Sequence, residues 1–438
     1  MYHLNKKMEK RKHNPWWWIP TLYFAEGLPY IAVNTLSVIL YKKMEMSNTD
    51  IAFYTGWLYL PWVIKPFWSP FVDILRTKRW WTVISQLVIG ISLAMLSFTI
   101  PTDFWLQSTL ALFWLIGFTS ATHDIAADGF YMTALDSSQQ SFFVGIRSTF
   151  YRCATVFGQG ILVIIAGMLE NSLESIPKAW GITFLILSVF FLLLTVYHHL
   201  ILPRPDADRN TSSSEDKNSI IRNFFGTFSS FFRKKGVWAA ILFILLYRLP
   251  EAQLVKIINP FLLDSREAGG LALSTAQVGV VYGTIGIIGL TLGGILGGII
   301  ASRQGLRKCL LPMALCITLP DIVYCYLAMA QPSGENWLGM LLINTCVFIE
   351  QFGYGIGFTS FTLFMMYFAR GNSQTSHFAI CTAFMALGMM LPGMVAGWIQ
   401  EKLGYVGFFW WAMVCCIVTI LMTLTIKRNI EPDYGKKN

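Results

Sequence analysis

Apolar residues run along the chain in blocks of about 20, separated by short polar turns. A helix of that length spans the hydrocarbon core of a bilayer. The blocks predict twelve membrane-spanning helices, at 16–41, 50–72, 81–100, 107–132, 142–169, 179–202, 237–263, 276–301, 309–330, 337–369, 376–399 and 406–426. Tryptophans stand at several block ends: Trp16, Trp17 and Trp18, Trp80 and Trp81, Trp410 and Trp411. Such rings settle at the membrane–water interface. The longest connection, 203–236, carries PRPDADRNTSSSEDKN, a polar tract expected to be disordered. It divides the chain into two six-span halves, 1–202 and 237–438. The fold class expected is an all-α membrane protein.

Composition agrees. Only 13% of the residues are charged, against about 25% in soluble domains. The net charge of +9 does not read as nucleic-acid binding, because the basic residues sit in short clusters between apolar blocks. Of 33 Lys and Arg, 23 fall on the side shared by the two termini and five on the other, at Lys42, Lys43, Lys178, Arg266 and Lys402. The positive-inside rule then makes both termini cytoplasmic. The basic N-terminus followed by an apolar run is signal-peptide-like, but no small-residue cleavage site follows, so it is read as an uncleaved first span. The eight cysteines all lie in apolar blocks with no C-x-x-C pair, and are read as small buried hydrophobes.

The remaining five basic residues lie inside spans: Lys65, Arg147, Arg152, Arg248 and Lys256. The acids inside spans are Glu26, Asp124, Asp128, Glu251 and Glu350, with Asp321 a further candidate. A charge at the centre of a spanning helix costs about 2.5–3.5 kcal/mol, so these groups should face a cavity or one another. In ATHDIAADGF (121–130), Asp124 and Asp128 are four apart and share a helix face. Span four descends towards the side from which span five rises. Asp128 therefore falls at the depth of Arg147, and Asp124 at the depth of Arg152. Such pairs could be static, or an Asp could exchange its basic partner for a proton during a transport cycle. In YRLPE (247–251), Arg248 and Glu251 share a face, with Pro250 between them able to kink the helix.

Several chemistries are set aside. H-D-I-A-A-D also spells the H-x-x-x-x-D signature of acyltransferases, but His123 and Asp128 point about 140° apart on a helix and cannot reach each other. The glycines of span eight do not follow a strand, so close helix packing is preferred to a nucleotide loop. No metal-ligand set or cofactor site stands out, and no catalysis is expected. His198 and His199 are read as interfacial residues at a membrane edge.

Both halves carry a short basic turn between their second and third spans. One holds Gly298, Ser302, Arg303, Gly305, Arg307 and Lys308, the other Ser69, Asp73, Ile74, Arg76, Lys78 and Arg79. The turns resemble the loop motif G-x-x-x-D-R/K-x-G-R-R/K of the major facilitator superfamily, with Ser302 in place of the acid and Ser69 and Ile74 as departures in the first copy. Topology alone explains such charges; the resemblance implies a conformational latch at Asp73, Arg76, Arg79, Arg303 and Arg307. It also implies parallel six-helix halves with a substrate site between them near the midplane.

Longer stretches narrow the resemblance. YFAEGLP (23–29), KPFWSPFVD (65–73), SATHDIAADGF (120–130), Tyr151-Arg152, YRLPE, EQFGYGIGFTSFTLFMM (350–366), TSHFAICTAF (375–384) and PGMVAGWIQEKLGY (392–405) occur in order. Together they resemble the AmpG-type muropeptide permeases, and more distantly the acetyl-coenzyme A transporters. The resemblance implies proton-driven import of anhydromuramyl disaccharides or muropeptides across a bacterial inner membrane. Asp124 and Asp128 would handle protons. Arg147, Arg152 and Arg248 are candidates for pairing or for the substrate carboxylate, with Glu26, Lys65, Glu251, Glu350 and His377 as further cavity candidates. His123 and His377 stand where the family usually has Gln, two departures that could suit a smaller amino sugar or peptide-free disaccharide or could be neutral. Other acidic or amino sugars, or an acyl-coenzyme A, are the alternative cargoes. Five basic residues inside spans are few for the phosphates of the coenzyme. A sensor or membrane enzyme would want an output domain or a workable dyad, and neither is present in the sequence pattern.

Overall fold

A computed structural model describes residues 14–135, 137–204, 217–371, 374–432 and 434. Among the described residues there is helix and no strand. Nine helical stretches among the described residues are long and apolar enough to cross a membrane. They are Pro15–Lys43, Lys78–Thr99, Trp105–Ala134, Thr149–Leu173, Ile176–Ile201, Thr275–Gln304, Leu306–Ala330, Trp337–Ala369 and Ser376–Lys427. The last runs 52 residues and covers the eleventh and twelfth blocks; Gly404, at φ 66° and ψ 174°, is non-helical between them. Only glycine enters that region without steric cost. The second and seventh blocks are helical but broken, as Asn48–Trp57 with Leu60–Leu75, and Val237–Leu246 with Leu249–Leu263. In the seventh, Pro250 lies in the first turn of the second piece, where its missing N–H costs no helical bond.

Other irregularities sit inside continuous helices. Spans one, five and eight each contain a π segment, at Ala32–Leu36, Val156–Leu162 and Val281–Gly286. Such bulges rotate the side chains that follow and are frequent at functional sites. The long connection also contains a helix, Lys217–Phe232, which the composition reading does not anticipate. Most of the tract expected to be disordered lies outside the described residues.

The contacts group the chain into two compact units. The first comprises Met1–Leu36, Ile64–Gly158 and Met168–Phe224. The second comprises Ser37–Val63, Gln159–Gly167 and Phe225–Asn438. In the first unit, span six shows what organises the packing. Phe184, Leu187, Phe191, Thr195 and His198 recur every three or four residues and are buried. The alternate stripe, Val189, Leu193, Val196 and Leu200, is apolar and at least half exposed. A helix apolar on every side with one exposed face is built for lipid, not water. A core of Trp18, Leu22, Tyr23, Phe130, Tyr131 and Phe143 closes one end of this unit.

The second unit packs through small residues. Gly289, Gly293 and Gly297 recur at four-residue spacing along span eight and meet the span-ten backbone at Phe348, Phe352 and Ile356. Van der Waals contact between close backbones drives helix association in lipid, where burial from water is not available. The π segment of span eight also meets residues 159–167: a Cβ at Gly283 would run into the Gln159 carbonyl. A Cβ at Gly293 would likewise strike the Phe352 carbonyl, whereas one at Gly298 meets nothing within 4 Å. Gly293→Ala should therefore cost about 1–3 kcal/mol, read as a lower melting temperature in detergent. Gly298→Ala should leave that temperature unchanged or raise it.

Candidate functional site

Most of the intramembrane charges gather into one cluster in each unit. In the first, the helical spacing of Asp124 and Asp128 presents both carboxylates to one side, as their four-residue separation requires. Asp128 Oδ1 accepts from Arg147 Nη2 at 2.8 Å and from the Tyr23 hydroxyl at 3.0 Å. The Arg147 guanidinium lies over two rings, 4.3 Å from the Tyr23 centroid and 5.2 Å from that of Tyr131. Asp124 Oδ2 is 3.7 Å from Lys65 Nζ, in the second piece of span two. Glu26, one turn beyond Tyr23, is buried and within electrostatic reach of Asp128, Asp124, Arg147 and Lys65. Its Oε2 has no hydrogen-bond partner among the described residues.

The depth argument thus identified Arg147 as the partner of Asp128. Asp124 also lies within ion-pair distance of Lys65 in span two, which depth matching between spans four and five does not reach. Arg152 stands near the end of the regular helix, immediately before the π segment of span five. The two pairs are not sealed: the Arg147 and Asp128 side chains are 28% and 45% exposed, and those of Lys65 and Asp124 are 24% and 16%. Partly exposed pairs of this kind are held less firmly than sealed ones. Tyr23 and Tyr131 do not follow from the charge pattern alone. Their signal was available, since Tyr23 lies three residues from Glu26 and Tyr131 three from Asp128.

His123 belongs elsewhere. It is buried on another side of span four, where the Gln86 amide nitrogen donates to its Nε2 at 2.9 Å. The Gln86 carbonyl oxygen accepts from His198 Nδ1 at 2.9 Å, and His198 Nε2 meets the Thr21 hydroxyl at 3.0 Å. The network ties spans one, three, four and six together. His198 is fully buried, not interfacial, because it continues the inward stripe of span six. His377 lies in the second unit against the connecting helix, with its Nε2 2.9 Å from the Ser230 hydroxyl and its ring edge-on to Phe231.

The second cluster forms where span seven breaks. Arg248 is the non-helical residue between the two pieces, at φ −104° and ψ 24°. Its Nε and Nη2 reach the two Glu251 oxygens at 3.1 and 2.9 Å, and Nη2 also donates to the Tyr354 hydroxyl at 2.6 Å. The guanidinium also lies over the Tyr354 and Phe358 rings, 5.5 and 5.1 Å from their centroids. Glu350 accepts from the Tyr324 hydroxyl at 2.9 Å and from the Gln351 amide at 3.0 Å. Asp321 is buried and accepts from the Cys416 thiol at 3.5 Å. Tyr354 was also missed, though it falls four residues after Glu350 on the same helix face.

A further polar group in this unit joins residues distant in sequence. Lys42 Nζ meets Asp264 Oδ1 at 2.6 Å and donates to Asn48 at 2.9 Å. Asn48 donates to Gln400 at 2.7 Å and to the Tyr405 hydroxyl at 3.0 Å, and Tyr405 donates to Asp264. The Thr49 hydroxyl donates to Glu401 at 2.6 Å.

Of the basic-turn residues, Arg79 donates to the backbone carbonyls of His199 and Leu202, and Arg76 lies over the Trp80 ring at 5.9 Å. Arg303 is in the last turn of span eight, and Arg307 follows Gly305, whose φ is 81°. The Asp73 side chain lies outside the described residues. No group of three potential metal ligands occurs among the described residues.

Arg248 and Glu251 are only 11% and 10% exposed, so their pairing is less screened than that of the first cluster. Removing one partner strands a buried charge and costs about 3–5 kcal/mol. Arg248→Met should destabilise the detergent-solubilised protein by about that amount. The double change Arg248→Met, Glu251→Gln should recover most of the loss in the same thermal unfolding measurement.

The sequence profile of the Major Facilitator Superfamily matches residues 21–391, and the chain belongs to that superfamily. It is 24% identical over 423 residues to the anhydromuropeptide permease of Escherichia coli (strain K12), covering 94% of this chain and 79% of that protein. It is 25% identical to a Rickettsia conorii protein bearing the name transporter AmpG 4, covering 93% and 96%. Among solved structures, the nucleoside transporter NupG superposes with a TM-score of 0.68 at 14% identity, covering 94% of this chain and 98% of that one. A D-xylose–proton symporter does so with a TM-score of 0.67 at 12% identity, covering 96% and 98%. These likenesses establish the transporter fold.

Proposed function

We propose that this Major Facilitator Superfamily chain is a proton-coupled secondary transporter of the bacterial inner membrane. It imports anhydromuramyl disaccharides or muropeptides by alternating access, and both its termini are cytoplasmic. The observation that carries the reading is the cluster of Glu26, Lys65, Asp124, Asp128 and Arg147, where three carboxylates and two cations share one neighbourhood of the first unit. Similarity to an anhydromuropeptide permease supports the cargo.

In this reading Asp124 and Asp128 exchange a basic partner for a proton. A protonated Asp128 releases Arg147, and a deprotonated one recaptures it, so proton occupancy and pairing are alternatives at the same oxygen. The freed guanidinium offers a planar fork to a substrate carboxylate. Arg152 and Arg248 have the same chemistry. The Tyr23, Tyr131, Tyr354 and Phe358 faces beside the arginines suit sugar rings as well as cations. Lys65, Glu26, Glu251 and Glu350 supply the remaining polarity of the path. His123 and His377 support its walls through Gln86 and Ser230 rather than touching cargo. The basic turns with Asp73, Arg76, Arg79, Arg303 and Arg307 act in the conformational cycle.

The test is uptake of labelled GlcNAc–anhydro-MurNAc into proteoliposomes holding the purified protein. An inward proton gradient should drive accumulation several-fold above equilibrium, and a protonophore should abolish it. Folded protein that gives no gradient-dependent accumulation contradicts the proposal.

A further inference from the structure

Lys256 is in the second piece of span seven and is 1% exposed. Its ammonium donates to the Thr55 hydroxyl at 2.9 Å and lies 4.9 Å from the Tyr59 ring centroid. Gly393 of span eleven lies beside the aliphatic stem, where a Cβ would be in ordinary contact, 3.5 Å from Lys256 Cγ. An ammonium has three donors and no acceptor. Arg147, Arg248 and Lys65 each face a carboxylate of the chain, whereas Lys256 faces none among the described residues.

One turn on, Asn259 is 2% exposed, and its Oδ1 accepts no hydrogen bond among the described residues. Residues three apart share a helix face. A buried cation without an anion and a buried carbonyl without a donor are each costly. Side by side, they complement a ligand that brings an anion for one and a donor for the other. Neither charge balance nor hydrogen bonding gives them a structural purpose in the present arrangement, where Thr55 offers the ammonium a single neutral acceptor.

We propose that Lys256 and Asn259 form a recognition subsite for a carboxylate flanked by an O–H or N–H donor, covered in this conformation by Thr55 and Tyr59. The carboxylate takes over the ammonium contacts that Thr55 and Tyr59 now make, and the adjacent donor satisfies Asn259 Oδ1. The subsite rests on the reading that the cargo is an acidic sugar fragment. It gives the cargo's acid a receptor additional to the arginines, one that does not have to be released from an internal ion pair first.

The experiment compares binding of N-acetylmuramic acid and of its lactyl amide to the full chain in nanodiscs by calorimetry. The wild type should bind the acid about tenfold more tightly, a difference of about 1.4 kcal/mol. Lys256→Met should bind acid and amide alike, and Lys256→Arg should keep the preference. Lys256→Gln, which retains a polar end, repeats the comparison if the Met variant does not fold. A wild type without preference for the acid, including one that binds neither ligand, overturns the subsite, as does a preference that survives in Lys256→Met or Lys256→Gln. Acid preference in a protein that accumulates no disaccharide upholds the subsite and overturns the cargo reading. Transport without acid preference overturns the subsite alone.

Discussion

An ionised side chain in hydrocarbon costs about 2.5–3.5 kcal/mol at the centre of a spanning helix, and the polar architecture of this chain follows from meeting that cost. Arg147 is held by Asp128 and by two aromatic faces, and Lys65 lies close to Asp124. Arg248 is held by Glu251 through two nitrogens and by the Tyr354 hydroxyl. Each cation is stabilised by a local arrangement, yet the first cluster is open enough to be rearranged. That combination suits a transporter: pairs strong enough to let the helices insert, and weak enough for a proton or a substrate acid to compete.

The backbone around these groups is irregular. Arg248 bonds Glu251 from a break in span seven, where the backbone leaves helical geometry for one residue before Pro250 restarts it. Span two breaks between Trp57 and Leu60, and Lys65 belongs to the piece that follows. Arg152 precedes a π segment by four residues, and the π segment of span eight packs against residues 159–167. Interrupted backbone is tolerated at membrane depth where protein or a polar cavity covers it. Close glycine contacts provide that cover in the second unit.

Hydropathy made the helices legible because lipid imposes one length on every span. The pairing of Asp128 with Arg147 was legible because antiparallel neighbours match residues by depth. What was not legible depended on rotation and on contacts distant in sequence. Lys65 lies 59 positions before Asp124, and no local period connects them. His198 reads as interfacial from its place at the end of a span. Its register with Phe191 and Thr195 carries the correct answer, since it continues their buried stripe. The breaks in spans two and seven were half visible. Proline marked the one at Arg248, but proline content does not say on which side of the residue the helix stops. The polar group around Asn48 was invisible as a group, because its members come from positions 42–49, 264 and 400–405.

The proposal that an aspartate exchanges its basic partner for a proton is tested most directly by separating exchange from accumulation. Proteoliposomes carrying Asp124→Asn or Asp128→Asn would be loaded with unlabelled GlcNAc–anhydro-MurNAc, and entry of labelled substrate followed without a gradient. The same vesicles would then be given an inward proton gradient with no internal substrate. The account predicts that at least one variant keeps exchange and loses gradient-driven accumulation, because a neutral amide mimics the protonated acid permanently. Wild-type accumulation in both variants would contradict it.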